Sequence, residues 1–520
     1  MTSERIIADL IPGIPILLLC VIAVLVIMVD WFLPLRKSHY SGVVALVCLG
    51  VTTVTLILFL LRIGPEETHQ ALLEPMKVFG ERLILDPLGL MFTLLFTLTA
   101  LATVMVSLRT EALRSLRVGE YYALLMLATV AMSVIVASRD FLVLYLAIET
   151  LSLSSYVLVG YPRRQRLAAE ASLKYILYGA VASGVMLFGI SYVYGLTGTT
   201  IIPRLFDISG SGAHLTYPNG VSGTINGPAA MGAMILILAG LGFKMALVPF
   251  HAWCPDVYEG APTPITAYLA VGSKAAGFAA LLRILYPLFC ANATGRTVSG
   301  LISQGSLWTI FWLLSAMTMT FGNLVAVWQT NVKRLLAYSS IAHAGYIAMA
   351  FTLMNREAFE AIIIYFIVYF VMNLGAFFTV LFMENATKRC DLPAYAGLVR
   401  RSPLLVVVLT IFLLSLLGIP PTAGFMAKFK LFGALIKDAS RPAVILAVIG
   451  IVNTVISAYY YLKVVKVMVF DQGEDESQIA TGFLNGAILV VFAIAIFALF
   501  VFWTLVQRLA EAIPLNVKLF

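Results

Sequence analysis

Three lysines and one glutamate stand inside stretches that otherwise hold almost nothing but apolar side chains. Glu149 lies in Phe141-Leu-Val-Leu-Tyr-Leu-Ala-Ile-Glu-Thr-Leu-Ser-Leu, Lys244 shortly before Pro249, Lys274 ten residues into the next apolar run, and Lys428 shortly after Pro420-Pro421. At the centre of a bilayer each such charge costs roughly 2.5–3.5 kcal/mol on insertion scales, so the four would cost roughly 10–14 kcal/mol if they faced lipid. They must therefore face one another, water or a neighbouring chain. A lysine removed from water can be neutral or charged, and a nearby carboxylate biases the choice, so such a pair can pass a proton. The plainer reading is one static ion pair that pins two helices. Three lysines against one central carboxylate favour the relay, because a fixed network would match its charges.

Two more groups are candidates. Lys174, seven residues into an apolar run, could serve as a proton inlet or simply snorkel to the headgroups. His343, in Leu-Ala-Tyr-Ser-Ser-Ile-Ala-His-Ala-Gly-Tyr, lies deep in a run, and an imidazole with an ordinary pKa of about 6.5 suits a carrier between lysines. A hydrogen-bonded core histidine is the competing reading. Asp30, Asp86, Asp140, Arg139 and Glu170 lie near the ends of runs and read as interface charges. His251 follows Pro249, where gating and structural roles are both open.

The elements that must position these groups are membrane helices. Of 520 residues 61% are hydrophobic and only 12% charged, and a span needs about 20 apolar residues, so about fourteen spans absorb the excess. Apolar segments fall near 12–34, 41–61, 84–108, 119–138, 140–161, 167–196, 229–250, 264–288, 306–328, 332–354, 358–383, 402–437, 443–469 and 482–507. The expected fold is an all-α polytopic membrane protein, residues 1–520 forming one integral membrane domain. The first run is too long for a signal-peptide core and reads as a retained span. The connection from Gly198 to Pro228, rich in Gly, Ser, Thr and Asn, reads as a surface loop.

The net charge of +8 reflects few acids rather than a basic stretch, which argues against nucleic-acid binding. The five cysteines, Cys20, Cys48, Cys254, Cys290 and Cys390, form no C-x-x-C pair, and the histidines are not at ligand spacing, so no metal or iron–sulfur site is expected. Nucleotide-binding and hydrolase motifs are absent from the sequence as well. Basic residues concentrate in alternate connections: Arg36 and Lys37; Arg109, Arg114 and Arg117; Arg163, Arg164 and Arg166; Lys333 and Arg334; Lys388, Arg389, Arg400 and Arg401; Lys463 and Lys466. The positive-inside rule then puts both termini on the periplasmic side. The basic inside loops, with no transit-peptide pattern, point to the bacterial cytoplasmic (inner) membrane.

The seventh run meets Pro249, and the twelfth is interrupted by Gly418-Ile419-Pro420-Pro421 and Gly424. Both read as broken helices, the best sequence pointer to an inverted-repeat transporter with its ion site at mid-membrane. The breaks lie five spans apart. Repeats of five spans, 119–288 (spans four to eight) and 306–469 (spans nine to thirteen), are necessarily inverted, since an odd number of crossings starts the second from the opposite side. Glu149 then corresponds to the region of His343. The lysines match in plan only, because Lys244 precedes its break and Lys428 follows its own.

Three strings carry a family resemblance. Phe243-Lys-Met-Ala-Leu-Val-Pro-Phe-His-Ala-Trp-Cys-Pro-Asp-Val-Tyr-Glu-Gly-Ala-Pro-Thr-Pro264, Lys333-Arg-Leu-Leu-Ala-Tyr-Ser-Ser-Ile-Ala-His-Ala-Gly-Tyr346 and Gly418-Ile-Pro-Pro-Thr-Ala-Gly-Phe-Met-Ala-Lys428 resemble the antiporter-like subunits of respiratory complex I, NADH:quinone oxidoreductase. The likeness covers roughly residues 84–470. Lys428 puts the chain with the branch that carries lysine at this position; subunit M carries glutamate. Only residues 508–520 follow the last run, so the long C-terminal helix of subunit L is not expected.

The resemblance implies proton translocation in the membrane arm, coupled to NADH oxidation and quinone reduction in other subunits. It implies that Glu149 is the charge partner, Lys244 the switching lysine, Lys274 the connecting lysine, Lys428 the lysine toward the periplasmic exit, and His343 part of the axis between the last two. It also implies no cofactor in this chain, with NADH, FMN, iron–sulfur clusters and quinone held elsewhere. The implied neighbours are subunit M on one side and small subunits toward the quinone arm on the other. The alternatives are an Mrp-type or stand-alone cation/proton antiporter, and a membrane scaffold whose charges only pin helices.

Overall fold

The computed structural model describes residues 14–34, 37–61, 76–78, 82–113, 116–207, 227–294, 299–300, 304–473, 477–479 and 482–515. Outside them fall the first two residues of the expected first span, Arg36, Arg114 and residues 208–226 of the expected surface loop. Long apolar runs without water must satisfy their backbone groups internally, and they form helices. In order these are α1 (Ile14–Phe32), α2 (His39–Leu61), α3 (Pro87–Ser107), α4 (Gly119–Ala137), α5 (Phe141–Val159), α6 (Arg166–Thr197), α7 (Pro228–Met245), α8 (Trp253–Gly260) and α9 (Thr263–Tyr268). A π-helical stretch, Leu269–Ser273, joins α9 to α10 (Lys274–Thr294). There follow α11 (Gln304–Val327), α12 (Val332–Met349), α13 (Arg356–Thr387), α14 (Pro403–Leu417), α15 (Ala423–Asp438), α16 (Arg441–Phe470), α17 (Phe483–Val501) and α18 (Trp503–Glu511).

Among the described residues thirteen helical runs are long and apolar enough to cross a membrane. The remaining expected crossing is built from two shorter helices, α14 and α15, on either side of Pro420-Pro421. Two short antiparallel strand pairs accompany the helices: β1 (Met76–Val78) with β2 (Leu83–Leu85), and β3 (Phe206–Asp207) with β4 (Ser299–Gly300).

The run from Thr263 to Cys290, α12 and α13 are almost wholly buried, whereas α1, α2, α6 and α17 present apolar faces outward, as a lipid-bathed bundle does. Small residues set the closest approach. A Cβ on Gly345 of α12 would come within 2.5 Å of the Met319 backbone, and one on Gly322 of α11 within 2.7 Å of the Ala342 backbone, so these two helices meet backbone to backbone.

The two helix breaks match in backbone register. After Met245 the chain turns through left-handed Ala246, and the Leu247 N–H bonds back to the Gly242 carbonyl at 2.8 Å. After Leu417 it turns through left-handed Gly418, and the Ile419 N–H bonds back to the Leu414 carbonyl at 3.2 Å. Each closure is the bond that ends a helix at a left-handed residue, and each is followed by a proline, Pro249 or Pro421, three residues past that residue. The first helix therefore stops before Pro249, earlier than the expected boundary of residue 250.

A second match joins the elements before each break. The Phe141 N–H bonds the Thr200 carbonyl at 2.9 Å and the Ile202 N–H the Arg139 carbonyl at 2.8 Å; likewise Val332 bonds Cys390 and Leu392 bonds Thr330, both at 2.8 Å. Five helical runs long and apolar enough to cross a membrane separate the two bridges.

Candidate functional site

α5 begins at Asp140, whose carboxylate accepts from the Leu142 N–H at 2.7 Å and the Thr200 hydroxyl at 2.8 Å. That cap fixes the rotation of a helix whose middle carries Glu149. Glu149 is half-buried, with Oε1 shielded and making no hydrogen bond to protein. Lys244, two residues before the break in α7, is 2% exposed. The Lys244 ammonium also makes no hydrogen bond to protein; it stands 5.7 Å from the centre of the Tyr175 ring and 5.8 Å from that of Phe243. Glu149 and Lys244 thus do not form the hydrogen-bonded pair that a static pin would require.

Tyr175 stacks on Trp253 of α8 at 4.5 Å, and the Trp253 indole donates to the Phe243 carbonyl at 2.9 Å. The broken helix is therefore held across its own gap. On the other side, Gly277 of α10 leaves room for Lys244, since a Cβ there would meet Met245 Cγ at 2.9 Å and Lys244 Cβ at 3.3 Å.

Lys274 follows the π-helical stretch, a geometry frequent at functional sites. Its ammonium donates to Ser340 Oγ at 2.6 Å and lies 5.7 Å from the centre of the Tyr258 ring. Ser340 in turn donates to the Ala337 carbonyl at 2.7 Å. Counted from the matched caps, Ser340 is nine residues after Asn331, as Glu149 is nine after Asp140, so Ser340 is the positional counterpart of Glu149. His343, expected in that place, sits one turn further along.

His343 is buried, with Nδ1 2.7 Å from the Tyr365 hydroxyl and Nε2 3.4 Å from that of Tyr461, which also bonds Ser339. The core-histidine reading and the carrier reading therefore meet in one residue: it is hydrogen-bonded, and its partners are protic. Its ring lies edge-on to Tyr346 at 5.8 Å, and Tyr346 in turn lies 4.7 Å from the Lys428 ammonium. Lys428 donates to the Leu417 carbonyl at 2.9 Å, so the cation occupies the second break and answers a carbonyl that the break frees.

Glu149, Lys244, Lys274, Ser340, His343 and Lys428 run from α5 through α7, α10 and α12 to α15, and among the described residues the Lys274–Ser340 bond is the one direct bond between any two of them. The intervals hold buried hydroxyls with no protein partner, those of Tyr156, Tyr175, Tyr258, Tyr369 and Ser273, together with the amide of Asn373.

Lys174 lies off this path. It is paired with Glu170 at 2.9 Å and Asp256 at 2.7 Å, and it lines a cavity of about 640 Å³ whose other walls include Phe243, Pro249 and Phe250. Its ammonium is held by these two carboxylates, and among the described residues no bond joins it to the buried lysines. His251 packs its ring against Phe321 at 4.6 Å.

Several pairings escaped the sequence reading. Asp86, taken as an interface charge, is buried in a two-pronged ion pair with Arg283, at 2.7 and 2.8 Å. Asp30 bonds Ser38 at 2.6 Å and Arg117 at 3.0 Å. Glu360 lies between Arg356 at 3.0 Å and Lys430 at 3.1 Å, and Arg334 bridges Asp256 and Glu259. An arginine in the middle of an apolar run, as Arg283 is, was the available signal. Among the described residues no group of three or more His, Cys, Asp or Glu side chains could hold a metal ion.

A family profile described as "NADH:quinone oxidoreductase/Mrp antiporter, TM" matches residues 138–457. A relative from Anaeromyxobacter sp. (strain Fw109-5), NADH-quinone oxidoreductase subunit N, is 40% identical over 444 residues, 84% of this chain and 85% of its own. NADH-quinone oxidoreductase subunit N 1 of Herpetosiphon aurantiacus is 36% identical over 97% of this chain and 96% of its own. Among solved structures, a chain of respiratory complex I from Thermus thermophilus with bound aureothin superposes with a TM-score of 0.74 at 31% identity, covering 96% of this chain and all of that one.

Proposed function

The chain belongs to the NADH:quinone oxidoreductase/Mrp antiporter family of membrane proteins, and on that footing we propose that it moves protons through the buried lysines. It is an antiporter-like, proton-translocating subunit of the complex I membrane arm, in the place that subunit N holds in its relatives. The observation that supports the site assignment is the set of buried ionisable groups, with a cation beside each helix break and an imidazole on the helix between.

In this reading Lys244 is the switching lysine and Glu149 its charge partner. The carboxylate's negative charge attracts the Lys244 ammonium; moving that charge away releases a proton toward Lys274. Lys274, positioned by its bond to Ser340, passes the proton on toward His343, whose tyrosine partners carry it further, and Lys428 holds it in the second break. Because Lys244 makes no hydrogen bond to protein, its proton is free of competing donors and acceptors. Moving one charge across 100 mV costs about 2.3 kcal/mol, which this chain has no means to supply. The energy comes from NADH oxidation and quinone reduction, which we assign, with their cofactors, to other subunits.

The matched caps and breaks support reading 119–288 and 306–469 as inverted repeats. The basic connections support a bacterial inner membrane with both termini periplasmic, and the likeness to subunit N supports subunit M as one neighbour and small subunits toward the quinone arm as the other. The test is proton movement driven in two ways. In native membranes NADH drives it only when the chain is present, and vesicles holding the chain alone exchange no sodium for protons. Sodium–proton exchange by the chain alone would favour the antiporter reading instead.

A further inference from the structure

One short helix touches both halves of the path and is gripped from outside it. α8 places Trp253 against the carbonyl next to Lys244 and Tyr258 over Lys274. From the same eight residues, Asp256 and Glu259 point away, each about one-third exposed. Arg334, in the first turn of α12, donates to Asp256 at 2.7 Å and to Glu259 at 2.8 Å. Asn331, the cap of α12, donates to the second oxygen of Glu259 at 3.2 Å, and Lys174 of α6 takes the second oxygen of Asp256 at 2.7 Å.

We propose that Arg334 is a positioning residue for proton transfer between Lys244 and Lys274: by clasping Asp256 and Glu259 it fixes α8, whose Trp253 and Tyr258 rings set the places of the two lysines. This rests on the lysine path proposed above. Three features carry it. First, the two carboxylates are three residues apart on one helix, so a single guanidinium reaching both fixes that helix in rotation as well as in distance. Second, α8 follows a break and has no continuous helix behind it, so its orientation depends on such outside contacts. Third, Arg334 is on the helix that carries Ser340, the acceptor for Lys274, so the clasp ties the aromatic wall around the donor to the element bearing the acceptor.

The test compares Arg334→Gln, Arg334→Lys and Lys244→Ala in membranes carrying the whole complex, with NADH-driven pumping expressed per assembled complex. Arg334→Gln is expected to lower that rate by about threefold or more, and Arg334→Lys, which keeps a charge for one carboxylate, to restore most of it. A glutamine variant that assembles less but pumps normally per complex would make the clasp merely structural and overturn the proposal, as would a lysine variant no better than glutamine. If Arg334→Gln does not assemble, Glu259→Gln, which leaves Asp256 on Arg334, carries the test with an expected loss of about twofold; an unchanged rate overturns it. The Lys244→Ala control separates the two ideas. Normal pumping there removes the lysine path and this inference together, whereas failure there beside normal pumping in Arg334→Gln removes the clasp alone.

Discussion

Lys274 donates a 2.6 Å hydrogen bond to Ser340, and through that bond the last lysine of the first half reaches the helix that carries His343. Hydrogen bonds to a charged donor contribute about 1.5–3 kcal/mol, enough to set where a proton rests. Ser340→Ala should therefore slow NADH-driven pumping and quinone reduction together by about tenfold, while Ser340→Thr, which keeps the hydroxyl, retains most of both. The check is both rates per assembled complex.

Gly418 combines a φ of +87° with close contact to Lys428, where an added Cβ would meet Cδ at 3.0 Å. Gly418→Ala should cost about 1–2 kcal/mol in backbone conformation and push the lysine off the Leu417 carbonyl. We expect pumping per complex to fall further than the amount of complex does. Quantifying assembled complex by native gel beside the pumping rate separates the two.

Arg283 and Asp86 form a buried pair remote from the lysine path, and Asp86 also caps α3 by accepting from Gly89 N–H at 2.8 Å. Arg283→Met strands a buried carboxylate, which costs about 3–5 kcal/mol, and should reduce assembled complex sharply. Adding Asp86→Asn, which keeps an oxygen for the cap, should recover much of the loss. Thermal stability of the solubilised complex measures both.

Much of this was legible in the sequence because the bilayer makes every exception visible. Glu149, Lys244, Lys274 and Lys428 stand out for the cost of a charge in an apolar run, and Pro249 and Pro420-Pro421 for the backbone donors they remove. Pairings between distant segments were not legible. Arg283 finds Asp86, and Arg334 finds Asp256 and Glu259, only once α10, α3, α12 and α8 have been brought together. The π-helical turn before Lys274 has no reliable sequence signature, and the counterpart of Glu149 emerged as Ser340 only from the backbone bridges at the two caps.

The central claim is that a proton passes through Lys244. The most direct measurement is NADH-driven proton pumping and quinone reduction in native membranes carrying Lys244→Ala, at verified assembly. Both activities should fall together by about tenfold or more, since the proposed path then loses its lysine between Glu149 and Lys274. Both activities at wild-type rates in fully assembled complex would contradict the account.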